Sequence, residues 1–435
     1  MAEFILKRWH SEGVPGLSRR DRRSCEYKAY LPDLLTGRPI LLDGEVAADV
    51  TEAEAAISRL DLESAALADT EVLARLLLRA ESVASSRIEG LEIGGRRLLR
   101  AEMARELGED PGDVTAREVL GNVDAMVWAI NSMPAKGSIT VDALLEVHRC
   151  LLLGTRLENH GGRIRTEQNW IGGSSYNPCS AAFVPPPPEN VKSLLEDLCS
   201  FSNDDSLPAM VQAALAHAQF ETIHPFADGN GRTGRVLIHL VLRRRGLAQR
   251  VLPPLSLILA TWSQDYINAL MATRYEGPPE ANRAHEGLNR WIGLFAAACK
   301  RAVEDAYDFE GHLRELQKEW RSRLGVVRAK SAADLLLRAL LGAPIVTVNT
   351  AAGLINRSFQ ATNEATLRLA EAGILSQVNV GRRNRAFEAR EVTQAFTRLE
   401  RQLASPEGDT RVSAPSRRVP QRGRCTVRHF RSDLH

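Results

Sequence analysis

The run His224-Pro225-Phe226-Ala227-Asp228-Gly229-Asn230-Gly231-Arg232-Thr233-Gly234-Arg235 follows directly on an apolar helical stretch, and each residue type in it suits one kind of site. Glycine lets the backbone turn tightly and approach a ligand closely, and consecutive N–H groups in such a loop form an anion-binding nest. Arg232 and Arg235 offer charge-assisted, potentially bidentate bonds to phosphate oxygens. Asp228 is a hard oxygen ligand suited to a magnesium ion carried on phosphates. His224 is the one side chain here able to take a proton near neutral pH unaided. The chemistry described is that of a metal-bound nucleotide.

These residues need a scaffold, and the helical period around them supplies one. Apolar residues recur at three-to-four spacing over Glu52–Leu67, Glu71–Ile88, Thr115–Ile130, Ser138–Leu153, Val191–Phe201 and Ala209–Thr222. Gly90 stands where a helix C-terminal cap belongs, and Thr140 ahead of Asp142 marks a helix start. A helix over Arg232–Arg244 begins inside the glycine-rich run, so the nest lies at a helix N-terminus and gains its dipole. Residues 161–173 break the period and read as a short hairpin or extended flap ending in Gly172 and Gly173, followed by the stiff run Pro185–Pro188.

The flanks differ in texture. Residues 1–50 read as an arm wrapping a neighbouring domain or as partly disordered, and residues 262–322 are again helical. Helices over Ala332–Leu341, Val348–Asn356 and Gln360–Ala372, then strands Ile374–Val380 and Ala386–Ala389 around a basic turn, form a winged helix-turn-helix pattern. After residue 404 come seven arginines with almost no periodic apolar face, the composition of a disordered tail. The expected division is an N-terminal arm and helical region (1–138), a core (139–305), a connecting helix (306–330), the winged-helix-like domain (331–395) and the basic tail (396–435).

Composition narrows the setting. Across 435 residues, 44% are apolar and 25% charged, with net charge +2, an ordinary globular balance that excludes bulk polyanion binding. No apolar run is long enough to span a bilayer, and the first residues lack the apolar core of a secretory signal, so no membrane partner and a cytoplasmic setting are expected. Cys25, Cys150, Cys179, Cys199, Cys299 and Cys425 are scattered without a C-x-x-C pair and read as reduced thiols.

The run 224–235 resembles the signature of the Fic (filamentation-induced-by-cAMP) family, H-P-F-x-[DE]-G-N-G-R-x-x-R, at every specified position. Further stretches resemble the same family. Arg163–Gly173 with the segment 182–186 resembles the flap that aligns a target backbone by strand addition. Ser85-Ser86-Arg87-Ile88-Glu89-Gly90 resembles the inhibitory motif [ST]-x-x-x-E-[GN]. The C-terminal elements resemble the winged-helix-like module of a bacterial subgroup. The resemblance covers roughly residues 30 to 395.

It implies a mainly α fold: a Fic-type helical bundle with a short β-hairpin flap and a C-terminal winged helix-turn-helix-like domain. It also implies a protein adenylyltransferase that uses ATP and Mg²⁺ to place AMP on a Ser, Thr or Tyr hydroxyl of a target protein. His224 becomes the general base and Asp228 the Mg²⁺ ligand. Gly229 and Gly231 give backbone donors, and Gly234 belongs to the same phosphate-binding run. Asn230 contacts a phosphate oxygen, Arg232 holds the leaving phosphates and Arg235 the γ-phosphate. Tyr266 lies about where the family places an aromatic beside the adenine. Glu89 pairs with Arg235 and blocks the γ-phosphate position. Relatives that phosphorylate carry Lys where Gly231 stands, so that activity is disfavoured.

Other readings remain open on the residues. The same fold serves another donor, such as UTP, GTP or CDP-choline, or removes AMP. In a different class, a DNA-binding regulator uses the site only to sense ATP. An intact base argues against a pure sensor. His217 and Glu221, one turn apart, form an incomplete zinc set, and packing beneath the loop is the expectation. Arg382, Arg383 and Arg385 at a wing tip suit phosphates, whereas the helix 360–372 holds only Arg368 against two glutamates. Such modules also serve as homodimer or docking units.

Overall fold

The computed structural model describes residues 1–11, 18–65, 70–134, 136–380 and 384–404. The arginine-rich tail, Arg382 and Arg383 therefore lie outside the described residues. The chain is mainly helical. Two strands, β1 (Glu3–Trp9) and β2 (Cys25–Leu31), precede α1 (Gly44–Ala65), α2 (Thr70–Ile88), α3 (Gly95–Glu106), α4 (Val114–Ser132) and α5 (Val141–Leu152). Then come α6 (Pro188–Ser202), α7 (Ala209–Ile223), α8 (Asn230–Arg244), α9 (Leu255–Thr261), α10 (Ser263–Ala272) and the long α11 (Asn282–Leu324). The C-terminal part runs α12 (Ala332–Gly342), β3 (Ile345–Val346), α13 (Val348–Ile355), α14 (Phe359–Glu371), β4 (Ser376–Val380), β5 (Asn384–Glu388) and α15 (Arg390–Ala404).

Helix α7 is the centre of the bundle. Every residue in it except Glu221 is buried, and in α8 every residue except Arg243. Both helices are buried on all sides, charged residues such as Arg232 and Arg235 included, and they form the core hairpin against which α1, α2, α4, α5, α6 and α11 pack. Their connection is therefore held at both ends by rigid, buried structure. Local signals set the outer helices: Thr140 caps α5 through Ala143 N–H at 3.1 Å, and Asp113 caps α4 through Ala116 N–H at 3.2 Å. Pro188 opens α6 at a position where its missing N–H costs nothing.

The described part of residues 1–50 contains a strand pair that the sequence reading did not expect. β1 and β2 pair antiparallel from Glu3 opposite Leu31 to Trp9 opposite Cys25. A second correction concerns the thiols: Cys25 and Cys179 form a disulfide, with Cα atoms 5.7 Å apart, while Cys150, Cys199 and Cys299 are free. The bond fastens the hairpin to the loop after the flap, where Asn177 Nδ2 also donates to Asp21 O at 2.9 Å and Ser174 Oγ to Asp21 at 2.7 Å. The flap itself is less regular than a hairpin; its one strand-like contact is the bridge between Ile171 and Phe183.

The C-terminal elements build a small three-stranded sheet in the order β3-β5-β4, which meets α13 and α3. Helix α11 runs unbroken through residue 305, where a boundary was expected. The apolar core is also continuous from the bundle into the C-terminal elements. Polar ties reinforce it: Arg96 makes two bonds to the buried Glu388, at 2.7 and 2.6 Å, and Arg79 reaches Gly342 O at 3.2 Å.

Candidate active site

The site lies at the α7–α8 connection. Helix α7 ends at His224, whose backbone is left-handed at φ 49° and ψ 60°. A non-glycine residue holds that conformation only when its surroundings impose it. Here the surroundings are explicit. Arg165 Nε donates to His224 O at 2.9 Å, Asn169 Nδ2 to the same oxygen at 3.3 Å, and Arg165 N–H to Pro225 O at 2.9 Å. Phe226 is fully buried and lies parallel to the His148 ring with centroids 3.8 Å apart.

His148 secures the far side of the loop. Its Nδ1 accepts from Gly162 N–H at 3.0 Å, which leaves Nε2 as the N–H that donates to Asp228 O at 3.0 Å. Asn230 closes the loop on itself, accepting from Phe226 N–H at 2.8 Å and donating to Phe226 O at 2.9 Å. Its side chain is thus occupied by the loop rather than turned to a ligand. Gly229, at φ 76°, has Leu151 and His148 where a side chain would stand.

Helix α8 starts at Asn230, and its first intrahelical bond runs from Thr233 N–H to Gly229 O at 3.0 Å. The N–H groups of Asn230, Gly231 and Arg232 precede that bond and lack helical partners, which makes this end an anion site. Arg232 is only 4% exposed, yet its Nε and Nη1 have no hydrogen-bond partner among the described residues. A buried guanidinium with unmet donors beside a helix N-terminus is built for an anion, because leaving such donors empty is costly. Arg232 touches Asp228 only at 3.4 Å.

Arg235 is differently placed. It is 1% exposed, and its Nη2 meets Glu89 Oε1 at 2.7 Å. Its Nε donates to Ser85 Oγ and its Nη2 to Ser85 O, both at 2.8 Å. Glu89 follows α2, with its side chain 37% exposed. Burial pushes its pKa up, but Arg235 overrides this and holds the carboxylate below its ordinary range. The sequence-predicted partners are therefore in contact.

The electrostatics favour a neutral imidazole. Burial first, then the Arg274 guanidinium, brings the His224 pKa down to about 4, while Glu89 acts in the opposite sense. Arg274 itself has no carboxylate bonded to it; its guanidinium stacks on the Phe183 ring at 3.5 Å, and burial lowers its pKa to about 10. Glu221 lies beneath, its Oε1 unpartnered, and burial raises its pKa to about 7. Gly234 is where α8 passes Glu221 and His217.

Tyr266 is 4% exposed, with its hydroxyl 2.8 Å from His217 Nε2 on α7. Among the described residues no group of three His, Cys, Asp or Glu side chains could hold a metal by itself. A single half-exposed carboxylate, Asp228, fits an ion whose remaining ligands are phosphate oxygens and water. Sequence reasoning missed His148, Arg165 and Asn169, because each bonds backbone carbonyls or amides that no residue pattern advertises.

The site thus combines a buried hairpin of helices, a histidine at the end of one helix and unmet arginine donors at the start of the next, an arrangement suited to an anion. Residues 138–242 match the Fic/DOC family, and residues 47–131 match its N-terminal region. The chain is similar to protein adenylyltransferase fic-1 of Caenorhabditis briggsae, 34% identical over 196 residues, which cover 43% of this chain and 36% of that protein. It is also similar to protein adenylyltransferase Fic of Drosophila willistoni, 37% identical over 139 residues, covering 31% of this chain and 26% of that protein. The chain spans about a third of the length of these curated relatives. Among solved structures, a Fic family protein from Desulfovibrio desulfuricans aligns with a TM-score of 0.49 at 20% identity, over 81% of this chain and 98% of that one.

Proposed function

We propose that the protein is an adenylyltransferase that moves AMP from ATP to a hydroxyl side chain of a target protein, and that Glu89 restrains it. The observation that carries this is the adjacency of three features: a neutral histidine, a buried arginine with unmet donors at the α8 start, and the Glu89–Arg235 pair. A Ser, Thr or Tyr hydroxyl attacks the α-phosphorus, its proton passes to His224, the bond to the β-phosphate breaks, and pyrophosphate leaves. Gly229, Gly231 and the N–H groups at the α8 start receive phosphate oxygens, with Gly234 letting α8 lie close to α7. Arg232 takes the charge that develops on the leaving group. Asp228 would hold Mg²⁺, which when bound neutralises phosphate charge. Arg235 receives the γ-phosphate only once Glu89 has left it.

Asn230 serves this scheme by fixing the loop, and Tyr266 by supporting α7 through His217. The relatives' names support AMP as the transferred group. Transfer of label from ATP labelled in the α-phosphate tests the reading: Glu89→Gly should label protein faster than wild type. No transfer by either form overturns it in favour of a nucleotide sensor.

The order α12-β3-α13-α14-β4-β5 supports a winged-helix reading of the C-terminal part. Its α14 face favours a protein partner over DNA. Phe359 and Leu367 are exposed there, Glu364 is the charge between them, and Arg368 is taken up by Leu324 O at 3.3 Å and Val326 O at 2.9 Å. No described helix is long and apolar enough to cross a membrane. The Cys25–Cys179 bond weighs against the cytoplasmic expectation, since reducing compartments keep such pairs open.

A further inference from the structure

Arg165 is buried, 7% exposed, and its bonds run to backbone carbonyls rather than to a carboxylate. Besides His224 O, Nη1 donates to Glu167 O at 3.0 Å, and Nη2 to Pro186 O at 2.6 Å and Ile223 O at 3.4 Å. One planar guanidinium thus joins the last carbonyls of α7 to two points of the flap and the proline run. A cation at a helix C-terminus is also favourably placed against the dipole. Asn169, in the flap next to Trp170, adds a second link: its Nδ2 bonds His224 O and, at 3.0 Å, Phe226 O. The carbonyl of the left-handed residue therefore receives two donors, and both come from the flap.

We propose that Arg165 and Asn169 are positioning residues that hold His224 in its reactive pose and tie that pose to the conformation of the flap. The reasoning is mechanical. The φ and ψ of residue 224 set the Cα–Cβ direction from which the imidazole is aimed, and that strained backbone persists only while its carbonyl is held. A target backbone laid along the flap meets residues 167–171, one or two residues from each donor. Seating a target and aiming the base are then parts of one movement. Neither side chain needs to touch nucleotide or hydroxyl to act in this way. The inference rests on His224 as base, and it separates from that reading by test.

The test uses the full chain carrying Glu89→Gly, with Asn169→Ala and Arg165→Lys added singly. Asn169→Ala removes one donor at a half-buried site, and Arg165→Lys keeps the charge but loses the fork. In α-phosphate label transfer, each should lower kcat about ten- to hundredfold, the scale expected for a reacting group displaced by an ångström or less. The KM for ATP should stay within about twofold, since the anion site on α8 is untouched. A parallel readout needs no activity: in ¹⁵N-histidine spectra, Asn169→Ala should shift or broaden the His224 ring signals and leave those of His217 in place. An unchanged His224 signal overturns the proposal, as does a fall in kcat matched by equal losses in ATP binding and thermal stability. Failure of the Glu89→Gly parent to transfer label would instead count against the transferase reading, leaving the spectra to decide the positioning role.

Discussion

The Glu89 carboxylate lies against the bare Cα of Gly231 while its Oε1 holds Arg235 Nη2 at 2.7 Å. A Cβ at residue 231 would collide with that oxygen. The glycine that opens the anion site is thus also the seat of the restraining glutamate, so the two halves of the proposed switch share one small space.

A methyl group at residue 231 should therefore push Glu89 off Arg235. Gly231→Ala is expected to raise label transfer in the wild-type background, toward that of Glu89→Gly. In the Glu89→Gly background the same methyl has no glutamate to displace and meets Arg235 Nη1, at 3.0 Å, so it should be neutral or harmful. This sign change is the signature of coupled neighbours in a double-mutant cycle. Transfer lowered equally in both backgrounds would mean that the methyl acts on the nucleotide alone.

Because burial and Arg274 bring the His224 pKa to about 4, the base is unprotonated throughout the neutral range. The acid limb of kcat/KM, which reports the free enzyme, should lie well below pH 6.5, with activity nearly level from pH 7 to about 5. Glu89 raises this pKa, so its removal should carry the limb still lower. Initial rates across a pH series would show it, and a limb at 6.5 or above would contradict the buried geometry.

Much of the site was legible because it is local. The run 224–235 carries spacing, residue types and a helix start together, and Ser85 and Glu89 sit one helical turn apart on α2 and its end. What could not be read was action at a distance. Cys25 and Cys179 are 154 residues apart with no spacing rule to pair them. His148, Arg165 and Asn169 act on main-chain atoms, which every residue possesses. The β1–β2 hairpin was hidden by the mixed polarity of Glu3–Trp9, and α3 by its charge. Resemblance alone placed Tyr266 near a ligand, and its ring contact with Trp291 and hydroxyl contact with His217 were equally beyond any local pattern.

Buried ionisable groups give stability a pH dependence whose sign differs by residue. His148 and His217 are brought down by burial to about 4 and about 3. Unfolded, they take protons near 6.5, so their contribution is present above that value and is lost as pH falls toward 4. Glu221 behaves inversely: burial raises it to about 7, so ionising it costs stability above pH 7, and that cost disappears as pH falls toward its unfolded value. Glu221→Gln should therefore be more stable than wild type at pH 8, with the advantage shrinking by pH 5. Urea midpoints at the two pH values test this, and equal midpoints at pH 8 would sink it.

The disulfide predicts a countable outcome. Of the six cysteines in the chain, denatured protein kept from reductant should present two fewer reactive thiols. Cys25→Ser should lower unfolding stability by about 2–5 kcal/mol, the range for loss of a native bridge. Six titratable thiols would show that the two sulfurs do not bond.

His148 anchors the loop from its far side. Its ring stacks on Phe226, accepts from Gly162 N–H and donates to Asp228 O. His148→Phe keeps an aromatic face over Phe226 and removes both hydrogen bonds, leaving the Gly162 amide and the Asp228 carbonyl without partners. Unmet polar groups of this kind cost about 1–3 kcal/mol each. The Asp228 backbone would also lose its anchor, so binding of ATP with Mg²⁺ should weaken more than binding of ATP alone. Calorimetric titration with and without the ion separates the two effects. Equal weakening under both conditions would mean that His148 supports the loop as a whole and does not set the position of Asp228.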